Sequence, residues 1–129
     1  MLIIESNSSD RKFILSNLNG DCYQAELKGS GLSAVIEVYA YTDTFGLNQF
    51  FQELASCDKP WPGEREWQSL EGEFTISATS SVLGDVVFQI ELRMTIGTPE
   101  ESLISAGINT EWGQLLKIAK EAKKFFQIE

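Results

Sequence analysis

From Val86 to Ile96 every second residue is large and apolar: Val86, Phe88, Ile90, Leu92, Met94 and Ile96. Between them stand Val87, Gln89, Glu91, Arg93 and Thr95. Successive strand side chains point to opposite faces, so the run predicts a long central strand with a core face and a wet face. Such a strand needs paired neighbours and a second layer over its apolar face, which excludes a purely helical fold.

The neighbours follow the same period. Leu2 to Ile4 reads as a short edge strand and Phe13 to Leu18 as the next. Asn19-Gly20 is a strong hairpin signal, because a type I′ turn needs positive φ at both central residues. Cys22 to Lys28 returns with Tyr23, Ala25 and Leu27 on one face, and Gly29-Ser30-Gly31 turns again. Leu32 to Tyr41 puts Ala34, Ile36, Val38 and Ala40 inward, with Tyr39 and Tyr41 on the wet side. Exposed aromatics of this kind mark recognition surfaces when nothing covers them; cover by a helix or neighbouring strand is the expectation favoured here. Glu73 to Thr79 and Glu101 to Ile108 complete the strands, with Phe74, Ile76 and Ala78 inward on the first.

Two segments carry a helical period instead. Leu47, Phe50, Phe51 and Leu54 form one stripe on a helix expected from a cap at Asp43 or Thr44 to about Cys57, stopped by Pro60 and Pro62. Trp112, Leu115, Leu116, Ala119, Ala122 and Phe126 form the second, with Asn109 or Thr110 as its expected cap. The reading is an α+β fold: a single, mainly antiparallel sheet of six to seven strands with two helices packed on it, in the order ββββ-α-βββ-α. No linker or internal repeat interrupts residues 1–129, so one domain is expected.

Composition limits the chemistry. The 129 residues hold 19 acidic and 10 basic side chains and no histidine, a net charge of −9. That balance disfavours nucleic acid and anionic membrane surfaces, both of which call for clustered Lys and Arg. It suits a basic protein partner. Without histidine there is no Ser-His-Asp or Cys-His set, and no phosphate loop, dinucleotide fingerprint or calcium loop appears. No cofactor or metal is expected. Met1-Leu2-Ile3-Ile4-Glu5 turns polar too soon for a secretory leader, and Cys22 and Cys57 lack metal spacing. The expectation is a cytoplasmic protein with reduced thiols.

The segment from Pro60 to Thr79 is the densest in information, holding two of the three tryptophans and two of the three prolines. Glu64, Glu66, Glu71 and Glu73 lie among Trp61 and Trp67. Paired carboxylates beside indoles are what a glycosidase or a sugar-binding site uses. Glu71 and Glu73, two apart, would share a strand face. A loop pinned by buried tryptophans is the favoured alternative, with Trp67 a core anchor and Arg65 a buried or half-buried clasp on neighbouring carboxylates. The candidate residues are therefore Trp61, Glu64, Arg65, Trp67, Glu71, Glu73, Tyr39 and Tyr41, none of them assigned a catalytic role.

Three stretches carry a family resemblance: Leu32 to Val38, Phe50-Phe51-Gln52-Glu53-Leu54, and Trp61-Pro62-Gly63-Glu64-Arg65-Glu66-Trp67-Gln68-Ser69-Leu70-Glu71-Gly72. Together they resemble a family of small acidic bacterial proteins of unknown function, over about residues 30 to 127. That family is similar in length and element order to the WapI-type immunity proteins, which neutralise a toxin delivered by neighbouring cells. The resemblance implies an α+β fold and no catalytic residues and maps no contact positions; joined to the −9 charge it suggests a basic toxin as partner. A small carbohydrate-binding or carbohydrate-processing protein and a structural or oligomeric module are the alternatives.

Overall fold

The computed structural model describes residues 1–128. It contains eight strands and two helices: β1 (Leu2–Glu5), β2 (Lys12–Asn19), β3 (Cys22–Gly29), β4 (Leu32–Tyr39), α1 (Gly46–Ala55), β5 (Glu64–Gln68), β6 (Phe74–Ser80), β7 (Asp85–Met94), β8 (Ser102–Glu111) and α2 (Leu115–Phe125). A short 3₁₀ turn, Trp112–Gln114, leads into α2.

The strands form two sheets where one was expected. β1-β2-β3-β4 and β5-β6-β7-β8 are each a four-stranded antiparallel meander, with α1 carrying the chain from one to the other. The inner faces share one core. Phe13 of the first sheet stacks on Phe74 of the second at 5.4 Å, and Phe51 of α1 meets Phe88 of β7 edge-on at 6.1 Å. Alternation records which face a side chain takes, and two facing sheets leave the same record as one wide sheet. β7 is central to its sheet, as the longest run predicts. It stops at Met94 because Thr95 takes φ +50°, so Ile96 leaves the ladder and is exposed.

The eighth strand, β5, lies inside the stretch read as a loop. It pairs only with β6, placing Trp67 opposite Ile76 and Arg65 opposite Ala78. An edge strand of Glu-Arg-Glu-Trp-Gln shows almost no apolar alternation, so its pairing leaves little trace in the sequence.

Both expected helix caps fail. Asp43 and Thr44 lie ahead of α1, whose N-cap Phe45 makes no side-chain capping bond. The Asp43 carboxylate instead accepts from Trp67 Nε1 (3.1 Å), and the Thr44 hydroxyl donates to Asp21 Oδ1 (2.6 Å). Asn109 and Thr110 belong to β8, where Thr110 pairs with Val86 and is buried. Asn109 reaches across to the first sheet: its carbonyl accepts from Asn7 N–H (2.9 Å) and its amide donates to Asn7 Oδ1 (3.0 Å). A cap contributes about 1 kcal/mol, less than continued strand pairing with a buried face.

The loop from β1 to β2 is tied to the β3–β4 turn by one carboxylate. Asp10 Oδ1 accepts from Ser30 N–H (2.8 Å) and Ser30 Oγ (2.9 Å), and the Ser30 hydroxyl bond is the main reason its carboxyl sits below the usual range. A depressed folded-state value stabilises above the ordinary carboxylate range, and the benefit disappears as pH falls through the folded value. The stability difference between wild type and Asp10→Asn should therefore narrow steadily on acidification. Urea midpoints at several pH values below neutrality check this; a difference that widens in acid would contradict it.

Candidate functional site

The Trp61–Glu73 segment divides its residues between core, surface and a cleft. Trp61 is 4% exposed, and its Nε1–H donates to the Ala78 carbonyl at 3.2 Å. Its ring therefore has no free face for a sugar. Gly63 takes φ +70°, which turns the chain into β5. Trp67 is half-buried, edge-on to Phe74 at 5.8 Å and bonded to Asp43 through its indole nitrogen. The expected roles are thus divided differently: Trp61 is the core anchor, and Trp67 bridges core and surface.

Arg65 is exposed, and no side-chain hydrogen bond or ion pair engages its guanidinium among the described residues. It is not a buried clasp, because its edge position opposite Ala78 opens toward solvent. Glu64 and Glu66 lie on the opposite face of β5 and are also exposed. Glu71 and Glu73 do not share a strand face. Both precede β6: Glu71 is exposed in the turn, whereas Glu73 is buried and accepts a hydrogen bond from Ser69 Oγ. Ser69 Oγ also accepts from Phe74 N–H at 3.0 Å, so the pair closes the β5–β6 hairpin. Of these glutamates, Glu66 is the one that lines the cleft beside α1.

Beside Glu73 lies a group that sequence reading placed in the core without remark. The Tyr23 hydroxyl is buried and has no hydrogen-bond partner among the described residues. Burial holds its phenol far above the ordinary range, with the Glu73 and Asp43 carboxylates adding to the effect. The ring is wedged edge-on between Phe125 and Phe126, at 6.1 and 5.5 Å.

The concave feature next to the segment is a cleft of about 310 Å³ between α1 and β5. Asp43, Glu53 and Glu66 bring carboxylates to it, and Phe50 and Trp67 bring rings. No basic side chain lines it. A concavity of one charge sign focuses the local potential, and an indole face attracts a guanidinium or ammonium group. Asp43 was expected as a helix cap and Phe50 as a core residue, and neither they nor Glu53 stood among the site candidates, because the approach of β5 to that side of α1 is not legible in the sequence.

Tyr39 and Tyr41 stand apart from this cleft on the outer face at edge strand β4. Their rings stack at 5.9 Å, and Tyr41 is 45% exposed. Neither a helix nor a strand covers them among the described residues. The Glu37 carboxylate is the chief reason the Tyr39 phenol is raised above its usual range.

A family model described as a family of unknown function, DUF6228, matches residues 9–129. The chain belongs to the DUF6228 family. That match runs well ahead of residue 30 and leaves β1 outside it. No curated protein and no solved structure matches this DUF6228 chain. Among the described residues no three Cys, Asp or Glu side chains are gathered to hold a metal ion, and no helix is long and apolar enough to cross a membrane.

Proposed function

We propose that this DUF6228 protein is a non-catalytic binding protein for a basic protein partner. The cleft between α1 and β5 is the seat for a lysine or arginine of that partner. The observation that carries the reading is the lining of the cleft: three carboxylates and two aromatic rings with no cation. Supporting it, the one ion pair among the described residues is Arg93–Glu101 at 3.2 Å, so the cleft carboxylates have no cationic partner among the described residues. The finer reading is a cytoplasmic immunity protein that masks a toxin, in line with the WapI-type resemblance. A surplus of one sign steers association with an oppositely charged surface.

Co-expression with the protein encoded beside it, followed by titration of the purified pair, tests this. Wild type should bind and protect, with affinity falling as salt rises. Reversing two exposed lining charges, Glu53→Lys with Glu66→Lys, should weaken binding by about 2 kcal/mol or more, roughly thirtyfold in Kd. Absence of both binding and protection would sink the reading, as would an affinity indifferent to the double reversal.

A further inference from the structure

The first sheet ends in an edge that the rest of the fold does not close. Ser6 N–H donates to the Arg11 carbonyl at 2.9 Å, one step beyond the Glu5–Lys12 pair of β1 and β2. An antiparallel ladder bonds every second opposed pair. The bonded pairs of β1 are thus Ile4–Phe13 and Leu2–Leu15. Ile3 and Glu5 therefore turn their N–H and C=O groups away from β2. Asn7 points the same way, and its N–H is met by the Asn109 carbonyl of β8. At Ile3 and Glu5 no such backbone partner is present among the described residues.

Beyond this edge lies a groove of about 470 Å³. It runs along β1 and is walled by the end of β8 and the first turns of α2. Ile118 lies in its wall, and Glu5, Glu111 and Glu121 line it together with Lys117 and the Met1 end of β1. Ile3 is 39% exposed. Unpaired strand edges accept another extended chain, because the ladder bonds it offers are already oriented.

We propose that this groove binds an extended peptide segment of a partner protein as an added strand on the open edge of β1. The segment carries basic side chains among apolar ones. The backbone edge requires an extended occupant, and the acidic excess of Glu5, Glu111 and Glu121 over the lining cations selects its charge. The site is separate from the α1–β5 cleft, and its occupancy does not depend on what that cleft holds.

A displayed library of random eight-residue peptides, panned on the full chain, supplies the probe. Selected peptides should alternate apolar and basic residues. A synthetic copy of one should lose about tenfold in affinity when a backbone amide facing β1 is N-methylated. Ile3→Pro removes an N–H that the β1–β2 ladder does not use, and proline is tolerated on an edge strand in that orientation. It should fold normally by circular dichroism and bind the peptide at least about tenfold more weakly. Should it fail to fold, Glu5→Pro makes the same test, and Glu121→Lys tests the charge selection on an intact edge. The Glu53→Lys, Glu66→Lys double variant should bind the peptide normally, which separates this site from the cleft. No selectable peptide, or binding indifferent to N-methylation and to the edge variants, would overturn the proposal. So would self-association of the free chain that Ile3→Pro abolishes, since that assigns the edge to a second copy.

Discussion

Trp61→Ala is expected to destabilise the protein by about 3–5 kcal/mol, the range for removing a large aromatic side chain from a closed core. The ring is almost wholly buried within the cluster that joins both sheets and both helices. Its loss leaves a cavity and removes one of the two hydrogen bonds to the Ala78 carbonyl, which keeps its ladder bond from Arg65 N–H. Trp61→Phe separates the two effects. It keeps most of the apolar volume and drops the hydrogen bond, so the expected loss is nearer 1–2 kcal/mol. Trp67→Ala should fall between these, since that indole is half-buried but gives up its contact with Phe74 and its bond to Asp43. Urea unfolding at neutral pH measures all three. A Trp61→Ala loss below that of Trp67→Ala would show that the anchor of the segment has been misassigned.

Gly29→Ala should cost about 3–4 kcal/mol, well beyond ordinary helix or strand propensity. Gly29 ends β3 with φ +102°. A Cβ there would drive into the Asp10 backbone carbonyl and come within 2.7 Å of the Arg11 Cα. Neither obstacle is a flexible side chain, so the β1–β2 loop must shift as a whole. Gly31, two residues on, has φ +82° with open space around it. Gly31→Ala therefore reports backbone strain alone, about 1–2 kcal/mol. Equal losses for the two variants would mean that the loop yields freely, and would weaken the case that Asp10 and Ser30 fasten it.

Sequence patterning carried a long way here. The inward residues of β3, β6 and β7 and the apolar stripe of α1 follow from periods of two and 3.6. Leu116, however, falls outside the buried stripe of α2. The β2–β3 hairpin turns at Gly20-Asp21, with Asn19 paired to Cys22 instead of taking positive φ. The candidate site was less legible. Trp61, Trp67 and the glutamates stood out by type, but burial sorted them: Glu73 and Trp61 went inside, and Glu64, Arg65, Glu66 and Glu71 stayed outside. The residues facing them across the cleft come from α1 and are remote in sequence.

What the sequence alone determined is the order of the elements other than β5 and the inward faces of the regularly alternating strands. Both are local properties, set by alternation along one strand or helix and by turn residues that need a particular φ. What the tertiary structure decided is where one sheet ends and the next begins, that β5 exists, and that Asp43 and Asn109 bond across the fold instead of capping helices. Those outcomes depend on which strand lies beside which. Pairing and burial between distant segments outweigh a cap of about 1 kcal/mol, and no local pattern records them. The long run at Val86 required a partner layer, and only packing showed that the layer is a second sheet.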